Sequence, residues 1–369
     1  MKWLEEGFER EGEVKHMLSV LSSGREEAQN ALDKCALSRY TRGKGVRCPE
    51  MFKQEATSRR KARKERPAMP ISPEPKQEHP STYFVQDRSN QEELNRLQIQ
   101  DHLYTAGMGG VLPEQPNPAG ILRVLDVGCG TGGWLIELAK TMPTCKVLVG
   151  VDASLTFVEY ARAQAKAAQV SDRVEFHVAD ALRMLEFPTG SFDLVNHRLA
   201  SSWLRTWDWR KLLQEYQRVC RPRGVVRITE YEGMVVSNSP AFSRLSELLL
   251  QAFHQAGHSF TPTSYGMTGE LARLLHQHGL QEVHTRVSPL EYHAGTLEWQ
   301  SFFENMKLFF RTILPFLRKW TRVPDDYEEI YQRMLSEMQQ PDFVATWGLL
   351  TAWGNTPLSK RRPGGDHLS

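Results

Sequence analysis

The strongest fold signal in the sequence is VLDVGCGTG at residues 124–132. Its first half is apolar and predicts a buried strand, and the helical stretch 134–140 follows almost at once. Gly128, Gly130 and Gly132 stand at the turn, where residues without a Cβ atom let the backbone bend sharply and let a ligand approach closely. The positive end of the helix dipole lies at the same turn. The segment therefore predicts a strand–turn–helix unit that binds a ligand.

Strands and helices alternate after this unit. The predicted strands are residues 146–151, 173–178, 192–196 and 224–230, and the predicted helices are residues 155–168 and 209–220. Strands that alternate with helices of ten or more residues indicate a parallel sheet with helices on both faces. The sequence beyond residue 240 is mostly helical. There we predict helices over residues 242–257, 268–278 and 306–320, and strands over residues 280–292 and 343–353.

Residues 1–80 differ in composition from the rest of the chain. They are rich in Glu, Lys, Arg, Ser and Gln and carry a basic cluster at residues 59–66. Such a composition cannot bury enough apolar surface to offset chain entropy, so we predict a disordered polar and basic extension. We expect residues 81–369 to form the folded domain, with a ligand-binding core at about 120–235 and substrate-shaping helices and final strands at about 240–355.

The composition of the whole chain narrows the class of protein. The 369 residues carry a net charge of +2 and are 40% hydrophobic, which gives no reason to expect binding to nucleic acid. No apolar run approaches the roughly 20 residues needed to cross a bilayer. The five cysteines are scattered, and no histidine spacing resembles a metal site, so we predict no metal. We expect a cytoplasmic protein, and the alternative is a nuclear one imported through the basic cluster Arg59–Arg66.

Acidic residues follow three successive strands of the predicted sheet. Asp126 closes the first strand, Asp152 the second and Asp180 the third. Because open parallel sheets bind ligands at the carboxyl ends of their strands, we expect these side chains to lie near one another. Asp152 is placed to accept from ribose hydroxyls, and Asp180 to accept from an exocyclic amine while Ala181 backs the ring.

Two classes of ligand fit this arrangement. Gly128, Gly130 and Gly133 satisfy G-x-G-x-x-G, the fingerprint of dinucleotide binding. Asp126 would repel a pyrophosphate, however, and would attract a ligand that bears an ammonium and a sulfonium group. Asp126 therefore favours the cationic ligand, while ribose recognition is common to both classes.

Together these motifs resemble the class I S-adenosylmethionine-dependent methyltransferases. The resemblance spans residues 83–232 and is carried by residues 124–132, Asp152, Asp180, Ala181, residues 191–195 and residues 220–224. It implies an α/β fold with a Rossmann-like seven-stranded sheet, helices on both faces and a helical substrate-binding insertion. It also implies that the last strand is antiparallel, a place that residues 343–353 would fill.

The resemblance implies S-adenosylmethionine as the cofactor and suggests which residues contact it. These are Asp126, Gly128, Cys129, Gly130 and Gly132 at the methionine end, Asp152 and Ala153 at the ribose, Asp180 and Ala181 at the adenine, Asn196 after the fourth strand, and Tyr83 as a lid. His197 follows the same strand, beside the expected methyl group, and an imidazole suits proton abstraction near neutral pH. We predict His197 as the catalytic base; the alternative is a histidine that only hydrogen-bonds at a strand end.

The expected function is methyl transfer from S-adenosylmethionine to a small apolar or aromatic metabolite. Tyr83, Glu93, Arg96 and the loop at residues 107–110 are similar to small-molecule methyltransferases of secondary metabolism. The alternatives are a methyltransferase-like regulator of secondary metabolism that binds protein partners through residues 1–80, and an NAD-dependent oxidoreductase.

Overall fold

The computed structural model of the chain describes residues 82–85, 87, 90–115, 118–264 and 266–358. The predicted disordered extension at residues 1–80 and its basic cluster lie outside these residues. No helix in the described ranges has both the length and the apolar character needed to span a membrane.

The described strands form one eight-stranded sheet, in the order β3-β2-β1-β4-β5-β8-β6, with β7 also paired to β8. The strands are β1 Arg123–Val127, β2 Val147–Asp152, β3 Val174–Val178, β4 Phe192–Arg198, β5 Cys220–Tyr231, β6 Val236–Ser237, β7 Gln281–His293 and β8 Val344–Asn355. The first five run parallel, and β8 is antiparallel to both β5 and β7. The antiparallel last strand is thus confirmed, and the strand beyond the expected seven is the two-residue β6.

Helices pack on both faces of this sheet, as predicted. They are α1 Gln91–Gly107, α2 Gly133–Thr141, α3 Leu155–Ala167, α4 Trp209–Val219, α5 Pro240–Ala256, α6 Met267–Gln277, α7 Leu297–Thr312, α8 Leu314–Trp320 and α9 Tyr327–Glu337. Alternate residues of β1 point to opposite faces, so Val124 joins the apolar cluster of α2 and α3, whereas Leu125 joins that of α4 and α5. Strand β1 is therefore buried on both faces of the sheet.

The region that follows residue 300 differs from the prediction in two ways. The single helix expected over residues 306–320 is two helices, because Pro315 lacks an N–H and its ring clashes with the carbonyl one turn earlier, so it fits only in the first turn of α8. Helix α9 was not predicted. Its buried residues Tyr327, Ile330, Tyr331 and Met334 have the i, i+3, i+4, i+7 spacing of a helix that packs one face on a core.

Candidate active site

A cavity of about 200 Å³ opens at the carboxyl ends of the parallel strands. Most of the predicted cofactor residues line it, namely Tyr83, Asp126, Gly128, Cys129, Gly130, Asp152, Ala153, Asp180 and Ala181. Gly132, Asn196 and His197 do not. The topology explains this gathering, because β1, β2 and β3 are adjacent parallel strands that end at one edge.

The turn between β1 and α2 depends on glycine at two positions for different reasons. Gly130 has a φ of 53°, lines the cavity, and a Cβ atom there would meet nothing within 4 Å. Gly132 has a φ of 78° and caps α2, and a Cβ atom there would lie 2.6 Å from Phe176 Cζ. Gly130 thus leaves one wall of the cavity open, whereas Gly132 lets the turn pack on β3. Gly132 does not line the cavity, and its contact with the cofactor stays a prediction.

Asp152 holds the turn in place from the end of β2. Its Oδ2 accepts from the backbone N–H of Gly130 at 3.0 Å, and its Oδ1 accepts from Ser154 N–H at 2.8 Å. Each carboxylate oxygen has a second lone pair, so the same group can still accept from ligand hydroxyls. Asp180 is similar, since its Oδ1 accepts from Leu182 N–H at 2.9 Å while the side chain lines the cavity.

Asp126 is the most perturbed acid of the site. It is 4% exposed, and burial raises its pKa to about 7, although Arg198 and a hydrogen bond from Asn196 act in the opposite direction. Asn196 Nδ2 donates to Asp126 Oδ1 at 2.7 Å, and Arg227 Nη1 donates to Asn196 Oδ1 at 2.8 Å. Asn196 is fully buried. Asn196 therefore holds the carboxylate of Asp126 by a hydrogen bond and has no exposed surface of its own. The predicted contact between Asn196 and the cofactor is corrected to this role.

His197 is also turned away from the cavity. The ring is fully buried, with Nε2 2.9 Å from Glu230 Oε1 and Nδ1 2.9 Å from the hydroxyl oxygen of Tyr216. Trp209 stacks on it with ring centroids 5.5 Å apart. A general base must reach the proton it removes, so this position contradicts the predicted catalytic role. His197 is instead part of the buried hydrogen bonding between β4, β5 and α4.

A segment before α1 covers the cavity. Phe84 N–H donates to Ser202 O at 3.1 Å, and the hydroxyl of Thr82 donates to the carbonyl of Trp203. Tyr83 lines the cavity, and its hydroxyl donates to Glu93 Oε1 at 2.5 Å. Tyr83 is therefore a residue of the cavity wall that is bonded to α1.

A buried ion pair anchors this covering segment to α1. Arg96 Nε donates to Glu93 Oε2 at 2.8 Å and Arg96 Nη2 donates to Glu93 Oε1 at 2.7 Å, and both side chains are at most 1% exposed. The hydroxyl of Thr312 on α7 donates to the same carboxylate at 3.2 Å. The pair therefore joins the segment, α1 and α7 at one point.

Opposite charges lie together beside the glycine turn. Arg198 forms an ion pair with Asp101, and its Nη1 donates to the hydroxyl of Thr105 at 3.0 Å. Arg198, Asp101 and Asp126 all line the cavity. Arg198 is therefore already paired with a carboxylate of this chain.

Cys129 is one of the residues that line the cavity. Burial, followed by Asp152 and Asp126, raises its pKa well above the usual range, so the thiol stays protonated and unreactive near neutral pH. Among the residues that the structure describes, no group of three or more His, Cys, Asp or Glu side chains could hold a metal ion.

Several cavity residues were not found by sequence reasoning. They are Asp101 and Tyr104 on α1, Phe157 on α3 and Tyr231 at the end of β5. Tyr231 had a usable signal, because it follows a strand whose carboxyl end meets the same edge of the sheet. Asp101 and Tyr104 had none, since the position of α1 depends on packing that no local pattern encodes.

Comparison with known proteins agrees with this geometry. Residues 124–224 match the family model of a methyltransferase domain. The chain is 36% identical over 110 residues to the secondary metabolism regulator laeA of Coprinopsis cinerea, covering 30% of this chain and 25% of that protein. It is 33% identical over 105 residues to a demethylmenaquinone methyltransferase of Lactococcus lactis, covering 28% of this chain and 40% of that enzyme.

Among solved structures, the chain matches the YcgJ protein from Bacillus subtilis. The match covers 69% of this chain and 99% of that one, at 19% identity and a TM-score of 0.43. The aligned part spans only 25% and 40% of the two curated relatives. The match of residues 124–224 and the order of the strands thus confirm the predicted resemblance to the class I S-adenosylmethionine-dependent methyltransferases.

Proposed function

We propose that this protein transfers a methyl group from S-adenosylmethionine to a small apolar or aromatic metabolite. One observation carries the proposal: Asp126, Asp152 and Asp180, from three adjacent strand ends, line a single cavity with an open glycine turn. Of the three, Asp126 lies beside the glycine turn, where it would repel a dinucleotide's diphosphate and attract a cationic nucleoside. The proposed domain comprises residues 81–369, with its cofactor core at about 120–235 and its acceptor-shaping part at about 240–355.

The residues present fit this cofactor. Asp126 suits the ammonium of its amino-acid end, Asp152 suits the ribose, and Asp180 with Ala181 suits the adenine. When bound, S-adenosylmethionine supplies an electrophilic methyl group, which is passed to a nucleophile with loss of S-adenosylhomocysteine. The side chains of this protein bind the two reactants, align them and exclude water from them. Alignment and the exclusion of water are the main catalytic requirements of such a displacement. The covering segment, which contains Tyr83, excludes water from the cavity.

Calorimetric titration with S-adenosylhomocysteine tests the proposal. We expect the wild-type protein to bind it, and Asp152→Asn to bind it at least about tenfold more weakly, because one charge-assisted acceptor is lost. Asp325→Asn, at an exposed residue outside the cavity, is the matched control and should bind like wild type. Binding of NADH in place of S-adenosylhomocysteine would overturn the proposal in favour of a dehydrogenase.

The raised pKa of Asp126 predicts a pH dependence of this binding. An acid with a pKa of about 7 loses its charge as the pH falls through that value, and the neutral form no longer attracts an ammonium group. Affinity for S-adenosylhomocysteine should therefore fall by up to about tenfold per pH unit below pH 7 and stay level above it.

Two controls isolate the contribution of Asp126. Asp126→Asn should bind S-adenosylhomocysteine weakly and without this pH dependence. Adenosine, which lacks the amino-acid end, should bind the wild-type protein with little change between pH 5.5 and pH 8.5. A steep pH dependence for adenosine would assign the titration to a different group.

A regulator that acts through protein partners is the second candidate. It is favoured by the similarity to the secondary metabolism regulator of Coprinopsis cinerea. Comparing the full chain with a chain that lacks residues 1–80 distinguishes the two. An enzyme should keep binding S-adenosylhomocysteine and methylating its acceptor after the deletion, whereas a regulator that docks through this segment should lose its partner.

A further inference from the structure

Helix α1 turns one face toward the cavity, and Gln100 is the amide side chain of that face. The spacing i, i+1, i+4, i+5, i+8 is that of residues on one side of a helix, and the cavity-lining residues of α1 have it: Arg96, Leu97, Gln100, Asp101 and Tyr104. The two charged residues of this face already have ion-pair partners. Gln100, in contrast, uses only part of its hydrogen-bonding capacity within the protein.

The contact with Arg96 determines how the amide of Gln100 is oriented. Arg96 Nη1 donates to Gln100 Oε1 at 2.6 Å. A guanidinium group carries donors and no acceptor, so it can pair with the oxygen of an amide but not with its nitrogen. The nitrogen Nε2 of Gln100 is therefore the end of the amide that is turned away from Arg96.

The amide nitrogen of Gln100 is open to a ligand. It makes no hydrogen bond to any described residue, and it differs from the buried side-chain atoms without a partner because it has accessible surface. The side chain is partly buried and lines the cavity. Its N–H groups are therefore donors at the cavity wall, and an oxygen atom of a ligand can accept from them.

The surroundings of Gln100 place this donor beside the acceptor-shaping part of the chain. Successive residues of a helix are about 100° apart around its axis, so Gln100 and Asp101 project in different directions. Asp101 lies against Gly133, next to the glycine turn, where the amino-acid end of the cofactor is proposed to bind. Gln100 is bonded instead to Arg96, whose Nη1 also lies 3.5 Å from Asn305 Oδ1 on α7. The donor therefore suits the acceptor and not the cofactor.

The charge next to the amide is already compensated. Arg96 donates to both carboxylate oxygens of Glu93, and the two side chains are at most 1% exposed. A carboxylate bound at Gln100 would lose its hydration and find Arg96 already neutralised. An ammonium group would meet N–H donors where it needs acceptors. The group that fits the amide is an uncharged oxygen, such as that of a carbonyl.

We propose that the amide nitrogen of Gln100 donates a hydrogen bond to an uncharged carbonyl oxygen of the methyl acceptor, and so selects acceptors that carry such a group. This inference rests on the proposed function and adds to it the chemical class of acceptor and the residue that selects it.

Fluorine NMR titration of three probes tests the inference on protein saturated with S-adenosylhomocysteine. The probes are 4-fluoroacetophenone, 4-fluoroethylbenzene and 4-fluorobenzoate, which are similar in size and carry a ketone, no oxygen and a carboxylate, respectively. The wild-type protein should bind the ketone about fivefold more tightly than the ethyl compound, the gain expected for one hydrogen bond. It should bind the carboxylate at least about fivefold more weakly than the ketone.

Two substitutions of Gln100 and one of Gln98 assign this preference to a residue. Gln100→Leu removes the amide, and Gln100→Glu removes the N–H groups but keeps an oxygen for Arg96. Both should bind the ketone no more tightly than the ethyl compound, and Gln100→Leu should bind S-adenosylhomocysteine like wild type. Gln98→Leu is the matched control, because Gln98 is also a partly buried residue of α1 but does not line the cavity. It should keep the preference for the ketone.

Four results of the titration would each overturn the inference. They are a preference for the ketone that survives both substitutions of Gln100, an equal loss of preference in Gln98→Leu, binding of the carboxylate as tight as that of the ketone, and no binding of the ketone at millimolar concentration. Loss of S-adenosylhomocysteine affinity in Gln100→Leu would also overturn it, because the donor would then belong to the cofactor. Calorimetry of the wild-type protein with S-adenosylhomocysteine, run first, separates these results from a failure of the proposed function.

Discussion

Glu93→Gln should lower the free energy of unfolding by about 3–5 kcal/mol, because it leaves the guanidinium of Arg96 buried without its counter-ion. Burial alone disfavours the charged form of Arg96, and Glu93 more than offsets this, so that the pKa of Arg96 lies above its usual value. Urea unfolding followed by circular dichroism measures the loss. Arg96→Met in the same chain should restore part of it, because the unpaired charge is then removed as well.

The neighbouring glutamate provides the control. Glu92 pairs with Arg311 at 2.8 Å, but these side chains are 40% and 49% exposed. Exposed pairs contribute about 0–1 kcal/mol, so Glu92→Gln should change the free energy of unfolding little. If the two substitutions had equal effects, the pair of Glu93 and Arg96 would not be the anchor of the covering segment that its burial indicates.

His197→Phe should destabilise the protein by about 3–5 kcal/mol, because the carboxylate of Glu230 loses its side-chain partner while remaining fully buried. The backbone N–H of Ala200, which donates to Glu230 at 2.7 Å, remains and limits the loss. Thermal and urea unfolding measure the effect. His197→Gln, which keeps a donor, should be less destabilised.

An exposed histidine tests whether this effect is due to burial. His293 lies 3.7 Å from Glu291, with side chains that are 59% and 66% exposed, and His293→Phe should change stability by less than about 0.5 kcal/mol. Substitution of a catalytic base would affect methyl transfer, whereas substitution of the buried His197 should affect stability. If His197→Gln kept wild-type stability and S-adenosylhomocysteine binding but lost methyl transfer in a pH-dependent manner, the general-base role would be restored.

The nucleotide-binding half of the fold was predictable because its signals are local. A buried strand that runs into Gly128, Gly130 and Gly132 requires a sharp turn, and alternating strands and helices require parallel pairing. The later helices were less predictable. Pro315 lies inside an apolar pattern that continues across it, so periodicity alone joined α7 and α8 into one helix.

The candidate site was predictable where the topology alone places a residue. Asp126, Asp152 and Asp180 lie at the carboxyl ends of adjacent strands, so parallel pairing brings them to one edge of the sheet. The topology does not predict, however, whether a side chain near a strand end points into the cavity or into the core. Asn196 and His197 are successive residues of β4, and both are fully buried. Asn196 bonds to Asp126 and Arg227, whereas His197 bonds to Tyr216 and Glu230, and all of these partners are remote in sequence.

The place of β8 has a consequence for how the chain is made. Its residues are translated after those of every other described strand, yet it lies between β5 and β7. Until β8 has been translated, β5 and β7 lack the strand that lies between them, and Tyr231 lacks the stacking of Trp347. The nascent chain thus carries two strand edges without their partner while β8 is missing, and a premature stop codon just before β8 would leave both edges open to aggregation.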